Sequence, residues 1–432
     1  MNKRRLLCIF LIIVTAFILH GCLTVSDETT ETATGKESVS TTEITTEHKV
    51  VIELSGTSIL ESETSFDNSE QETTMALPSE EEFLEEQITA ILQNMTLEEK
   101  VYQMFIITPE ALTGYKTVTA AGDTTNETLK KYPVGGLIYF AKNLLNAGQT
   151  TEMLLNTQTY AKEITGLPIF LCVDEEGGGV ARVGNNVGFD VPNVPAMQMI
   201  TDEKAAYEAG ATIGKYLNEL GFNLDFAPDT DVITNQLNSV IGDRSFGEDP
   251  IIVTKYGAAY SDGLHSCNIL STFKHFPGHG ATEGDTHEGF AYTSKTYEEL
   301  KESELMPFAS AKDTGVDVIM VAHISVPNII GDNTPCTLSY KMITEILRGD
   351  LGYDGLVITD AMNMGAITKK YSSETATVMA VKAGTDLILM PENFESAAKS
   401  VLAAVANGEI SEARIDESVR RIIRVKLNIE QY

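Results

Sequence analysis

Eight short apolar runs recur between residues 104 and 390, and each has a polar or Gly/Pro-rich end. They are Met104–Ile107, Gly136–Phe140, Ile169–Glu175, Asn223–Pro228, Leu270–Phe276, Asp317–Ile324, Gly355–Asp360 and Asp386–Met390. Continuous apolar runs of this length read as strands buried on both faces, the pattern of a parallel sheet. Parallel strands need long crossovers, and the intervening segments are long enough to hold helices. Strand–helix alternation repeated eight times predicts an α/β fold, a closed (β/α)8 barrel of the TIM type. A doubly wound open sheet is the alternative with the same alternation. Ahead of the first run, Ser79-Glu80-Glu81-Glu82 and Thr96-Leu97-Glu98-Glu99 each read as a capping box that opens a helix.

The residues before this region divide into two parts. Lys3, Arg4 and Arg5 precede an apolar run, Leu6–Leu19, too short for a settled transmembrane helix. It leads into Leu19-His20-Gly21-Cys22, a lipobox-like site at which Cys22 becomes the lipidated first residue of the mature chain. Residues 1–22 are therefore expected to be a lipoprotein signal peptide, with an uncleaved anchor or an ordinary secretory signal as alternatives. All three put the rest of the chain outside the cytoplasm. Residues 23–79 are rich in Thr, Ser and Glu, as in Asp27-Glu28-Thr29-Thr30-Glu31-Thr32. Such a segment has little to bury and is expected to be a disordered tether. Residues 80–432 then have a length that suits one large α/β barrel domain or two smaller domains.

Charge and cysteine content narrow the function classes. A formal net charge of −31 argues against a nucleic-acid-binding surface. With Cys8 in the signal and Cys22 lipidated, Cys172, Cys267 and Cys336 remain. An odd number cannot all pair internally, so the fold is not expected to depend on disulfides. Gly177-Gly178-Gly179 lacks the Lys-Ser/Thr of a phosphate loop, and no cofactor motif is present.

The polar residues cluster after the apolar runs. Asp174-Glu175-Glu176 follows Phe170–Val173, and Asp229 and Asp231 follow Phe226-Ala227-Pro228. His323 follows Val318–Ala322, and Asp360 follows Leu356–Thr359. Barrel enzymes build their sites at the C-terminal ends of the strands. The densest cluster is Lys274-His275-Phe276-Pro277-Gly278-His279-Gly280-Ala281-Thr282-Glu283-Gly284-Asp285-Thr286-His287, which holds three of the chain's seven histidines. Its Gly/Pro content reads as an exposed loop, poor core material. Its His, Lys and Asp make it a candidate reaction centre. His275, His279, Asp285 and His287 are also a conceivable zinc set. Pro277 and Gly278 forbid the regular helix that makes an i,i+4 His pair converge, and there is no HExxH, so no metal is expected.

Several motifs, in order, resemble those of glycoside hydrolase family 3, of the single-domain β-N-acetylglucosaminidase type. Asp174-Glu175-Glu176-Gly177-Gly178-Gly179-Val180-Ala181-Arg182 is similar to the family's D-x-E-G-G-R-V-x-R. Asn223–Pro228, Asp243-Arg244-Ser245-Phe246-Gly247, Lys274–Gly280, Asp285-Thr286-His287 and Ile358-Thr359-Asp360-Ala361-Met362-Asn363-Met364 follow. The resemblance runs from about Met95 to the C-terminus. Two positions depart from it: Gly179 stands where the family has Arg, and Ala281 where Asp commonly follows G-H-G.

The resemblance implies a retaining, exo-acting β-N-acetylhexosaminidase that needs no cofactor. Its substrates would be carbohydrates, terminal β-linked N-acetylglucosamine on peptidoglycan fragments or chito-oligosaccharides. Asp360 would be the nucleophile, forming a covalent glycosyl-aspartate. Capping the following helix is the structural alternative for Asp360. His287 would be the general acid/base, paired with Asp285, whose carboxylate orients the ring and favours imidazolium. Asp174, Arg182, Arg244, Lys274 and His275 would bind the sugar, or else form salt bridges around the barrel mouth. His279 would orient the loop. His323 would either line the pocket or hydrogen-bond at a strand end. A β-glucosidase-like member of the same family would be expected to carry a further C-terminal domain and no D-[ST]-H pair. A membrane-tethered sugar-binding protein without catalysis is the reading from another class.

Overall fold

The first helix begins where its capping box predicts. Ser79 Oγ accepts the Glu82 N–H at 3.2 Å, and the Glu82 carboxylate accepts the Ser79 N–H at 2.8 Å. Together they satisfy two backbone donors that a helix start leaves free. Thr96 and Glu99 repeat the arrangement ahead of the helix Leu97–Gln103. The computed structural model describes residues 79–430 except Glu288 and Phe290. The expected signal peptide, Cys22 and the tether up to residue 78 lie outside the described residues.

Among the described residues ten strands follow: β1 (Phe105–Ile107), β2 (Gly136–Ile138), β3 (Phe170–Val173), β4 (Glu175–Gly177), β5 (Val180–Ala181), β6 (Leu224–Asp225), β7 (Thr272–Phe276), β8 (Val318–Val321), β9 (Leu356–Thr359) and β10 (Ile388–Leu389). Eight of them fall inside the eight apolar runs. One sheet has the order β10-β1-β2-β3-β6 and another β7-β8-β9. Parallel bridges Leu224↔Leu270 and Asp229↔Lys274 join β6 to β7, and Ile358↔Leu387 joins β9 to β10. Every neighbour pair around the ring is parallel. The sheet therefore closes on itself as a (β/α)8 barrel, which excludes the open doubly wound sheet.

The antiparallel hairpin β4–β5 is an element the apolar pattern did not foresee. It interrupts the chain between β3 and the helix Glu203–Leu220, with Gly177 and Gly178 turning at φ 91° and 54°. Glu175 holds it in place. Its buried carboxylate accepts the N–H groups of Arg182, Val183 and Gly184 at 2.5, 2.8 and 2.7 Å and the Tyr216 hydroxyl at 2.8 Å.

The last helix, Glu412–Glu430, packs against the N-terminal side of the barrel. Lys426 Nζ donates to Gln103 Oε1 at 2.7 Å and lies 5.0 Å from the Phe170 ring centroid, at the start of β3. Asp386, just before β10, is fully buried and binds Ser418 Oγ (2.6 Å), the Val357 N–H (3.0 Å) and the Arg348 guanidinium. Cys172, Cys267 and Cys336 are free thiols, so no disulfide supports this core. Among the described residues, no helix is long and apolar enough to cross a membrane.

Candidate active site

The barrel delivers charged side chains to its C-terminal mouth from neighbouring strands. The first group is an alternating cluster of charges. Lys274 Nζ lies 2.5 Å from Glu176 Oε1 and 3.4 Å from Asp174 Oδ1. Arg244 grips Glu176 with Nε and Nη2, both at 2.8 Å, and approaches Asp229 at 3.3 Å. Arg182 reaches Asp174 at 3.5 Å and sits 5.8 Å from the Phe140 ring centroid. Burial pushes the Glu176 carboxyl up, but the Arg244 and Lys274 cations outweigh it and hold it well below the usual carboxylate range. Burial likewise works against the Lys274 charge, and Glu176 and Asp174 overcome it. Four of the five expected sugar-binding residues, Asp174, Arg182, Arg244 and Lys274, are thus brought together at one end of the barrel. Glu176, which sequence reasoning left without a role, is the anion that organises two of them. Its position two residues after Asp174 was the available signal.

The second group adjoins the first through Asp229. His275 Nδ1 is 2.7 Å from Asp231 Oδ2 and 3.8 Å from Asp229 Oδ2. Burial, with the Asp231 charge, pushes Asp229 up to about 7, and burial pushes His275 down to about 4. Both shifts reduce net charge in a site closed to water. Among the described residues, the group whose donors come within 4.8 Å of one another is Asp229, Asp231 and His275, not the His275, His279, Asp285 and His287 set. Arg244 already supplies counter-charge there and the His275 ring already occupies Asp231 Oδ2, so a cation would meet a guanidinium 3.3 Å from one of its ligands.

Residues 274–276 end β7, as the apolar run Leu270–Phe276 predicts, and the reading of 274–287 as poor core material is corrected for 274–280, all seven of which are buried. Their polar groups are paired rather than solvated: the Asp231 carboxylate accepts the His279 N–H, and Asn238 Nδ2 donates to the His279 carbonyl at 2.7 Å. The peptides Lys274–His275 and Phe276–Pro277 are cis.

Asp360 ends β9. Its N–H donates to Val321 O at 2.9 Å, and its Oδ1 accepts the Ala361 N–H at 2.7 Å. The helix that follows, Gly365–Thr368, is capped at Met364, so Asp360 is not its N-cap. Burial pushes the Asp360 carboxyl up, but His323, His275, the Ala361 N–H and His287 together hold it below its ordinary value. His323 is buried, with Nδ1 2.8 Å from Thr337 Oγ1 and Nε2 3.0 Å from Ala361 O. It fastens the residue after Asp360, which is the strand-end role of the two considered.

The Asp285–His287 segment covers this end of the barrel. His287 donates its N–H to Asp285 Oδ1 at 2.8 Å, and its Nδ1 lies 2.9 Å from the same oxygen. The His287 side chain is 64% exposed, open to an incoming ligand. Burial pushes Asp285 up, but the His287 N–H and ring hold it below its ordinary value. Glu283 and Tyr292 pair across the base of the loop, and Ser325 pairs with Ala291 and Thr293. At the tip, Thr286 O accepts the Ala366 N–H at 3.0 Å. This contact sets the dyad loop on the segment that follows Asp360.

Residues 96–425 match the family model described as the glycosyl hydrolase family 3 N-terminal domain. The chain belongs to glycosyl hydrolase family 3. Beta-hexosaminidase A of Pseudoalteromonas piscicida is 33% identical over 330 residues, covering 71% of this chain and 55% of that protein. Beta-hexosaminidase LpqI of Mycobacterium tuberculosis is 32% identical over 306 residues, covering 68% of this chain and 76% of its own length. The chain thus spans only about half of the first of these relatives. Among solved structures, a family 3 β-N-acetylglucosaminidase from Paenibacillus sp. str. FPU-7 superposes with a TM-score of 0.72 at 38% identity, over 78% of this chain and 62% of that one. LpqI superposes with a TM-score of 0.67 at 28% identity, over 78% of this chain and 96% of its own. Gly179, where the family 3 pattern has Arg, is exposed, with nothing within 4 Å of the place a Cβ would occupy.

Proposed function

We propose that this chain is a retaining β-N-acetylhexosaminidase that removes terminal β-linked N-acetylglucosamine from peptidoglycan fragments or chito-oligosaccharides. The observation that carries this reading is the Asp285–His287 loop, docked through Thr286 on the segment that follows an ionised Asp360. The relatives that bear the names β-hexosaminidase and β-N-acetylglucosaminidase support the choice of sugar. In the first step, an Asp360 oxygen bonds to the anomeric carbon as the bond to the aglycone oxygen breaks. His287 gives that oxygen its Nε2 proton, because Nδ1 is held by Asp285. In the second step, neutral Nε2 takes a proton from water, the water oxygen bonds to the anomeric carbon, and the Asp360 carboxylate leaves. Asp174, Arg182, Arg244, Lys274 and His275 hold the sugar hydroxyls during both steps.

Parallel assays on chromogenic β-N-acetylglucosaminide and β-glucoside, with and without chelator, test this reading. Hydrolysis of the first in preference to the second, unchanged by chelator, is expected. Preference for the glucoside would move the chain to the β-glucosidase reading. No turnover of either by folded protein would leave a sugar-binding protein. We further propose that Cys22 carries a lipid that anchors the enzyme at the outer face of the cell membrane. Cys22→Ser should then release it from the membrane fraction.

A further inference from the structure

The dyad residues flank Thr286, and Thr286 behaves differently from both. Its exposure is 1%, whereas the side chains of Asp285 and His287 are 37% and 64% exposed. The chain therefore turns Thr286 into the protein and its two neighbours out. Inside, Thr286 Oγ1 meets His279 Nε2 at 3.3 Å. The opposite ring nitrogen, Nδ1, lies 3.1 Å from Thr282 Oγ1, whose hydroxyl donates to the His279 carbonyl at 2.9 Å. A hydroxyl has one proton to give. With that proton on the carbonyl, Thr282 accepts from His279 Nδ1–H, and Nε2 is left with a lone pair for the Thr286 hydroxyl. The roles close consistently on one neutral tautomer, and burial, which pushes the His279 pKa down, favours that neutral form.

His279 is also fixed from below. Its N–H donates to Asp231 Oδ1, and the other oxygen of Asp231 takes His275 Nδ1 at 2.7 Å. A Cβ on Gly280 would lie 2.2 Å from Val232 O, so the turn that carries His279 sits directly on the backbone after β6. Asn238 and Asn235 clip the same turn through Nδ2 to the carbonyls of His279 and Thr282, at 2.7 and 2.8 Å. One continuous set of hydrogen bonds thus runs from His275 through Asp231 and His279 to Thr286.

We propose that His279 is a positioning residue: through Thr286 it holds the Asp285–His287 loop in register with Asp360 and ties that loop to the sugar-binding end of β7. This rests on the acid/base role proposed above for His287. Proton donation depends steeply on the distance and angle between donor and leaving oxygen, so a loosened loop harms that step first.

The test compares Thr286→Val, Thr286→Ser and His279→Gln with His287→Ala. Each is assayed on a dinitrophenyl β-N-acetylglucosaminide, which needs no acid, and on chitobiose, which does. Thr286→Val keeps the shape and removes the hydroxyl. It should lose roughly 10- to 100-fold in kcat/KM on chitobiose and about 3-fold or less on the activated substrate. Thr286→Ser restores the hydroxyl and should stay near the parent on both. His279→Gln should follow Thr286→Val if its melting temperature matches the parent's. Equal losses on the two substrates, or a Thr286→Val variant like the parent, would overturn the proposal. If His287→Ala itself shows no dependence on leaving group, the acid reading falls and this proposal falls with it. If only His287→Ala shows the dependence, the positioning role alone is wrong.

Discussion

At the scale of single residues, the site sets the charge of each carboxyl by its neighbours, since burial pushes both Asp360 and Asp229 the same way. Asp360 is ionised because the His323, His275 and His287 rings and the Ala361 N–H outweigh its burial. Asp229 is pushed the other way, to about 7, because burial and a second carboxylate dominate. Asp360→Asn should therefore remove the proposed nucleophile without unfolding the barrel, with kcat lower by on the order of 10³-fold or more and an unchanged melting temperature. A fluorinated sugar that traps the glycosyl-enzyme should label the peptide containing residue 360 in the parent and not in the variant. The pH dependence of stability tests the adjoining cluster. His275 takes its proton at about 4 when folded and near 6.5 when unfolded. Between those values the unfolded chain binds more protons, so this group removes stability as pH falls. Asp229 is protonated up to about 7 when folded and near 3.8 when unfolded, so over the same range it adds stability as pH falls. The two slopes oppose each other in the parent. Asp229→Asn should lose stability on going from pH 6.5 to 4, and His275→Gln should gain it. Urea unfolding at the two pH values reads both signs, and slopes like the parent's in both variants would refute the assignment. Asp360, Asp285 and His287 were legible because they stand in distinctive motifs. Asp229, Asp231 and Glu176 received no role, because the chain has 62 acidic residues and what sets these three apart is burial against particular partners.

At the scale of elements, the strands were the most legible part, since a buried parallel strand must be apolar along its whole length. The runs overshoot the paired strands at several ends. Ile169–Glu175 contains Phe170–Val173, and Asp317–Ile324 contains Val318–Val321. The extra residues after each strand, Asp174 and Glu175 or Ala322–Ile324, lie on the mouth side, whereas Ile169 and Asp317 precede their strands. The hairpin β4–β5 escaped notice because its paired segments are three and two residues long and carry two glutamates. It is held by one carboxylate instead of an apolar face. Glu175→Ala should accordingly cost about 3–5 kcal/mol of stability, because three N–H groups and the Tyr216 hydroxyl lose a buried acceptor. It should also raise KM, because the Arg182 backbone is one of the three donors. Chemical denaturation and Michaelis kinetics check the two effects separately. A variant with normal stability would show that the hairpin is held by something other than Glu175.

At the scale of the whole molecule, the barrel has a polar mouth and a sealed base, and the base contains one misplaced charge. Lys426 comes from the last helix, where sequence alone would leave a lysine in solvent. It is instead 1% exposed, with Gln103 Oε1 as its hydrogen-bond acceptor and the Phe170 ring beside it. Among the described residues no carboxylate is paired with it, and burial pushes its pKa down to about 7 from 10.5. Below pH 7 both folded and unfolded chains hold the proton, and the folded state bears the full cost of a buried ammonium. Between 7 and 10.5 the unfolded chain binds more protons, so stability rises with pH over that window. Lys426→Met fills similar space without the charge. Each tenfold of proton affinity corresponds to about 1.4 kcal/mol, less about 1 kcal/mol for the Gln103 oxygen left without its donor. The variant should therefore be more stable than the parent by a few kcal/mol at pH 7, and the gap should close steadily toward pH 10. Paired urea titrations at those two pH values isolate this residue, because Cys172, the thiol coupled to it, is pushed well above its ordinary value by burial. Parallel stability curves would mean that Lys426 keeps its charge at the barrel base at no cost. A less stable variant at pH 7 would mean that the Gln103 bond and the Phe170 ring outweigh burial.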